Sequence, residues 1–172
     1  DNPSLTTRLD DKKGVDPHRI ILDTRLSIPE DAKVLQIESA SDTIIIFNQP
    51  DDPEKPKRLT KNGIELIEAP LKEGWLDLSA VLELLGSKDI TSLLIEGGSR
   101  VAGSVLRSGI ADKVYFFYAP KILGGDDGIP VCSGPGPELM AGSIPIDDIS
   151  VERFDEDILI SGYVRNAVSG NH

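Results

Sequence analysis

The chain has a single cysteine, Cys132. No internal disulfide is therefore possible. Its two histidines are His18 and His172, too few and too far apart to build a zinc cluster around that thiol. Aromatic side chains make up only 5% of the residues, so the core must come from Ile, Leu and Val, as in a buried parallel sheet. No apolar run approaches the roughly 20 residues needed to cross a bilayer, so no membrane span is expected. Positive charge is also short: 18 Lys and Arg against 29 Asp and Glu leave a net charge of -11. Nucleic-acid binders usually carry a basic face, so no nucleic-acid partner is expected. An acidic, cysteine-poor chain suits a cytoplasmic protein. Asp1-Asn2-Pro3 is neither a start methionine nor a signal peptide, which reads as a piece of something longer.

What is present is an alternation of strands and helices. His18–Leu22, Ala32–Ile37, Thr43–Phe47, Ile64–Ile67, Ile90–Ile95 and Val114–Ala119 read as strands. The apolar residues of Thr43–Phe47 are continuous, the pattern of a strand covered on both faces, and Ile90–Ile95 reads as another buried strand. The charged loop Asp51–Lys57 precedes a weak helix. Asp77–Leu85 places Leu78, Val81, Leu82 and Leu85 at helical spacing, with Gly86 as a stop. Ser99–Arg107 reads as a helix closed by Gly109, and a Gly- and Pro-rich loop runs from Gly124 to Pro137. Ile149–Phe154 and Ile158–Val164 flank the acidic turn Asp155-Glu156-Asp157, an antiparallel hairpin. The expected fold class is α/β, with a mainly parallel sheet and this hairpin at its edge.

The most informative stretch runs from Ile90 through Glu96-Gly97-Gly98-Ser99-Arg100-Val101-Ala102-Gly103. A strand ends in a glutamate and two glycines, and a helix opens at once. Paired glycines let backbone approach a ligand closely, and the first turn of a helix presents amides to an anion. Ser99 and Arg100 can add polar and charged contacts. Ala102 and Gly103 are small enough for the helix to lie tightly on a sheet. A plain tight turn satisfies the same spacing, which is not the G-x-G-x-x-G of dinucleotide folds. Between Gly97 and Gly125 the basic residues are Arg100, Arg107, Lys113 and Lys121 against the one acid Asp112. This positive segment in an acidic chain fits an anionic ligand, or four solvated side chains. Glu96 is either a substrate carboxylate contact or a helix N-terminal acid. Asp23-Thr24-Arg25 either holds a ribose or 2′-phosphate or forms a polar turn, and taken alone the turn accounts for it. Cys132 has no neighbouring histidine to activate it.

The string from Leu93 to Gly125, LLIEGGSRVAGSVLRSGIADKVYFFYAPKILGG, closely resembles the reductase domains of the RibD family of bacterial riboflavin biosynthesis. Asp1-Asn2-Pro3-Ser4-Leu5-Thr6-Thr7-Arg8 resembles that family's D-[DN]-P-x-L-T-x-R segment. Arg19 to Pro29 resembles its R-[IV]-[VI]-L-D-x-x-L-R-x-P segment, with Ser27 where the family usually has Arg. The resemblance implies a dihydrofolate-reductase-like three-layer fold over residues 1–165, with a C-terminal tail at 166–172. It implies NADPH-dependent reduction of 5-amino-6-(5-phosphoribosylamino)uracil, with hydride delivered to ribose C1′ and no metal. Carried over by position, Asp1 lies near the nicotinamide and the reacting sugar, and Asp1 and Glu96 stand at the reaction centre. Leu5, Arg8 and Glu96 contact the substrate. Thr24, with Arg25 as a further candidate, faces the adenosine side of NADPH. Gly97, Gly98, Ser99, Arg100, Val101, Ala102, Gly103 and Ser104 bind its phosphates.

The resemblance further implies a homodimer, to which Val114–Tyr118 offers an apolar strand, and a zinc deaminase domain fused upstream. The family's first strand, with a lysine and a substrate-binding serine, has no counterpart in the chain. If those residues are absent from the protein, poor folding and no turnover are expected. Two other readings are open: a related pterin or diaminopyrimidine reductase, and a nucleotide-binding or dimerisation module without catalysis.

Overall fold

The computed structural model describes residues 2–9 and 14–165. The chain divides into two compact units, Asp1–Thr91 and Ser92–His172. The expected tail at 166–172 lies outside the described residues.

The first unit is built on three parallel strands: β1 (Arg19–Leu22), β2 (Thr43–Phe47) and β3 (Glu65–Glu68), with β2 in the centre. The unbroken TIIIF run of β2 has a direct cause. Successive side chains of a strand point to opposite faces, and here each face has its own core. Ile44 and Ile46 pack with Ala69, Leu76, Val81 and Leu85. Ile45 packs on the other side with Leu26, Leu59 and Ile64. Burying each such side chain contributes about 1.5–3 kcal/mol.

Helix α1 (Lys55–Lys61) grows out of the charged loop, with Pro56 in its first turn, where a missing N–H costs nothing. Helix α2 (Leu78–Gly86) is N-capped by Asp77, whose carboxylate accepts from the Ser79 amide at 3.0 Å. Its innermost residues are Val81 and Leu85, with Leu84 alongside the core. Before it, a short ribbon pairs β4 (Leu71–Lys72) with β5 (Trp75–Leu76). Glu73 and Gly74 turn it with φ of 54° and 82°, the two positive values that a tight hairpin turn requires.

Arg19 opens β1 and is 2% exposed. Its guanidinium donates to Thr43 Oγ1 at 2.9 Å, to Ser39 Oγ at 3.3 Å and to the Ser41 carbonyl at 2.5 Å. Two acceptors from the segment leading into β2 and one from its first residue thus meet one buried cation, which ties the register of β1 to β2.

The second unit carries α3 (Ser99–Arg107) and a three-stranded antiparallel sheet. Its strands are β6 (Lys113–Tyr118), β7 (Ile146–Phe154) and β8 (Asp157–Val164), in the order β6-β8-β7. The expected hairpin is β7–β8, turned at Asp155-Glu156 with Asp155 at φ 53°. It is not a separate edge feature, because β8 is also the neighbour of β6. The Arg165 guanidinium pairs with Asp147 beside the last residues of β8.

Two expected strands are absent. Ala32–Ile37 contains a 3-10 turn, Lys33–Leu35, in place of a strand. Amides of Ala32, Leu35 and Gln36 reach back three residues to Pro29, Ala32 and Lys33, and this satisfies locally what a ladder would have satisfied. Ile90–Ile95 has no ladder partner among the described residues and forms no strand. The run spans the boundary between the two units. Apolar content dictates a wish for burial, but strand pairing needs a neighbouring edge, and that is a tertiary matter.

Candidate functional site

The residues expected to meet a ligand fall in both units. Asp1 lies outside the described residues. Leu5, Arg8, Thr24 and Arg25 belong to the first unit, and Glu96 through Ser104 to the second.

In the first unit, Leu5 is half-buried and holds φ 53°. A branched residue in the left-handed region costs about 1–2 kcal/mol, and such strain is concentrated at functional positions. Arg8, three residues on, is exposed. Thr7, between the two, ties the segment to the residues that lead into β1. Its amide donates to Asp16 Oδ1 at 2.9 Å and its hydroxyl to the Val15 carbonyl at 2.8 Å.

The turn after β1 is engaged with itself. Asp23 accepts from Ser27 Oγ at 3.0 Å and from the Ile28 amide at 2.7 Å. Leu26 enters the core at φ 52° and 1% exposure. Arg25 Nε donates to Asp51 Oδ1 at 2.7 Å, and the Thr24 carbonyl accepts from the amides of Asn48 and Gln49. Ser27, where an arginine was expected, therefore closes the turn onto Asp23.

In the second unit, Gly97 and Gly98 have φ of 71° and 76°. Side chains rarely adopt that conformation, so both positions demand glycine. Gly98 is the N-cap of α3. Among the described residues no side chain caps that end of the helix, and its first turn supplies no carboxylate to offset the dipole. Ser99 is half-buried and Arg100 is exposed.

A loop lies along α3. The Ser133 amide donates to the Ser99 carbonyl at 2.9 Å, and the two serine hydroxyls are 3.2 Å apart. Arg107 donates to the Ser133 carbonyl at 2.9 Å and to Ser104 Oγ at 3.1 Å. A Cβ on Gly103 would overlap the Ser133 carbonyl oxygen. The smallness of Gly103 thus makes room for a loop carbonyl rather than for a strand. Residues 99, 103 and 107 are four apart and share one helix face. The pattern S-x-x-x-G-x-x-x-R was in the sequence, but nothing in it named Ser133 as the partner.

The positive segment is also less open to an anion than its charges suggested. Arg107 is held by Ser133 and Ser104. The Lys113 ammonium lies over the rings of Tyr115 and Tyr163, 5.0 and 4.9 Å from their centres. Hydrogen bonding to Tyr115 raises its pKa. Cys132, beside the clasped loop, is a half-buried free thiol. Among the described residues no three His, Cys, Asp or Glu side chains form a group that could hold a metal, and no helix is long and apolar enough to cross a membrane.

Residues 1–160 match the RibD C-terminal domain model. The chain belongs to the RibD C-terminal domain family. It is 33% identical over 171 residues to riboflavin biosynthesis protein RibD of Bacillus amyloliquefaciens, covering 99% of this chain and 45% of that protein. It is 31% identical over 166 residues to a 2,5-diamino-6-ribosylamino-4(3H)-pyrimidinone 5′-phosphate reductase of Methanothermobacter thermautotrophicus, covering 96% of this chain and 74% of that one. Among solved structures, a diaminohydroxyphosphoribosylaminopyrimidine deaminase/5-amino-6-(5-phosphoribosylamino)uracil reductase of Thermotoga maritima superposes with a TM-score of 0.72 at 28% identity. That match covers 96% of this chain and 42% of the Thermotoga chain. The chain thus spans less than half the length of its bifunctional relatives. The fold is the dihydrofolate-reductase-like α/β fold of this family.

Proposed function

We propose that this chain carries the reductase site of riboflavin biosynthesis and uses NADPH to reduce 5-amino-6-(5-phosphoribosylamino)uracil to its ribitylamino product. The observation that carries the proposal is the start of α3: two glycines at positive φ, then a helix with neither a capping side chain nor an acid in its first turn. A dinucleotide's diphosphate fits that donor set. It is anionic, it matches the helix dipole, and glycine removes the Cβ atoms that would keep it at a distance.

The reductase class brings with it a nicotinamide cofactor, and bound NADPH supplies the hydride that opens the ribose at C1′. The chain's own residues bind and orient. The free amides of the first turn, from Gly98 to Val101, with the Ser99 hydroxyl and the Arg100 guanidinium, hold the phosphates, and Ala102, Gly103 and Ser104 carry that turn. Arg8 takes the substrate phosphate, a role for which a guanidinium's fork is suited, and Leu5 contacts the substrate beside it. Glu96, immediately before the glycine pair, accepts hydrogen bonds from the substrate. The family resemblance assigns Asp1 to the nicotinamide and Thr24 and Arg25 to the adenosine of the cofactor. The same reading gives the protein a cytoplasmic setting, a homodimeric state and an upstream deaminase domain.

Thermal protection by NADPH and NADH tests the cofactor. At a concentration 100 times Kd a ligand adds about 2.7 kcal/mol, or roughly 5–10 °C for a chain of this size. NADPH is expected to give that shift and NADH a smaller one, because only NADPH has a 2′-phosphate. Arg100→Ala is expected to weaken NADPH binding about tenfold. Equal protection by both cofactors, or an unchanged affinity in the variant, removes the assignment. Turnover of the uracil in preference to the 2,5-diaminopyrimidinone, followed by NADPH absorbance in the complete protein, tests the substrate.

A further inference from the structure

The loop residue Ser133 belongs to no part of the motif at Glu96–Ser104, yet it sits against the first turn of α3. Three observations define how it is held. Its amide donates to the Ser99 carbonyl at 2.9 Å, its carbonyl accepts from Arg107 at 2.9 Å, and its hydroxyl is 3.2 Å from that of Ser99. Two glycines make the approach possible. Gly103 leaves space for the Ser133 carbonyl oxygen, and Gly134, at φ 113°, would bring a Cβ within 2.5 Å of the Arg107 guanidinium. The segment therefore runs down a groove on α3 formed by Ser99, Gly103 and Arg107.

Hydroxyl bookkeeping gives this contact a direction. Two serine hydroxyls carry two protons, and one hydrogen bond between them uses one. Neither hydroxyl has another partner among the described residues. The pair keeps a proton for an acceptor outside it, at the helix end where an anion is favoured. Arg107 spends its charge eight residues further along α3, holding the loop.

We propose that Ser133 is a further cofactor-phosphate donor, acting with Ser99 at the start of α3, and that Arg107 is the positioning residue that keeps it there. This rests on the α3 site being the NADPH phosphate site. Arg107 acts through the loop and does not touch the cofactor.

NADPH titration of the full protein carrying single and double substitutions tests the proposal. Ser133→Ala is expected to raise the NADPH Kd about three- to tenfold, the loss of one hydrogen bond, and to leave the substrate KM and the melting temperature near their starting values. Arg107→Ala is expected to raise Kd by a similar factor, with partial recovery in Arg107→Lys. The double variant Arg107→Ala/Ser133→Ala is expected to be no weaker than either single one, because both remove the same contact. A loop that merely braces the helix would move the melting temperature and leave Kd alone. An unchanged Kd in Ser133→Ala, or additive losses in the double variant, overturns the proposal. Ser133→Thr, which keeps the hydroxyl, is expected to retain affinity; a loss equal to that of Ser133→Ala also counts against it. Arg100→Ala separates the two layers. If it weakens NADPH binding while Ser133→Ala does not, only this inference fails; if neither does, the α3 site itself is misassigned.

Discussion

Gly103→Ala and Gly86→Ala are the same substitution on two nine-residue helices, and they are expected to have opposite signs. In an exposed helix position, alanine for glycine stabilises by about 0.5–1 kcal/mol, because glycine loses more backbone freedom on folding. Gly86 is the last residue of α2, and a Cβ there would meet nothing within 4 Å. Gly86→Ala should therefore gain up to that amount. Gly103 lies in the interior of α3, where a Cβ would overlap the Ser133 carbonyl oxygen. Backbone cannot yield as a flexible side chain does. The least costly relief is for the loop to leave the helix, which breaks the Ser133–Ser99 backbone bond and the Arg107–Ser133 bond. At about 1 kcal/mol each, these lose roughly 2 kcal/mol. Against a helix gain of up to about 1 kcal/mol, the net cost is about 1 kcal/mol, or roughly 2–4 °C in melting temperature for a protein of this size. Urea and thermal unfolding followed by far-UV circular dichroism would measure both variants. If Gly103→Ala is as stable as Gly86→Ala, the loop does not lie against α3, and the positioning role of Arg107 loses its foundation.

Three further outcomes follow from the first unit. Arg19→Ala leaves the Ser41 carbonyl and Thr43 hydroxyl without their buried donor, and is expected to cost at least about 1–3 kcal/mol in urea unfolding; a neutral effect would refute the packing of β1 against the segment before β2. Ile45→Val removes one methylene from a fully buried position, and is expected to cost about 0.5–1.5 kcal/mol in the same assay. The third concerns acid. Arg58 Nη2 donates to Glu30 at 2.8 Å and to Asp52 at 2.7 Å, and these bonds hold both carboxyl pKa values below their ordinary range. Carboxyls depressed in the folded state stabilise it above their unfolded pKa, and that contribution is lost as pH falls through the folded values. The wild type should therefore lose stability on acidification below about pH 4.5 more steeply than Arg58→Ala. Parallel melting curves from pH 7 to pH 3 would show this as converging temperatures, and curves that stay a constant distance apart would refute it.

Much of the organisation was legible in the residues. The unbroken Thr43–Phe47 run means a strand covered on both faces, and each face has its own cluster. Ser99–Arg107 was bounded by glycines before and after it, and the helix has those bounds. Backbone conformation is where glycine speaks most directly, so Gly97 and Gly98 marked the start of the helix correctly. Strand pairing was less legible. Ala32–Ile37 and Ile90–Ile95 are apolar enough for strands, but a strand is a relation between two segments, and neither run has a ladder partner among the described residues. The polar turn after β1 could be read as a turn, but not that Ser27 would close it onto Asp23.

Local chemistry, then, was set by the order of residues: a glycine pair opening a helix, charge gathered in one segment, apolar runs sized for strands. Each depends on neighbours within a few positions, and the backbone's steric limits act at that range. The use of those groups was decided only in three dimensions. Arg107 and Lys113 looked like free positive charge and are spent on a loop and on two tyrosine rings. Ser133 looked like linker and lies on the first turn of α3. Hydrogen bonds and ring contacts act over a few ångströms of space whatever the separation along the chain, so only the folded chain could assign those partners.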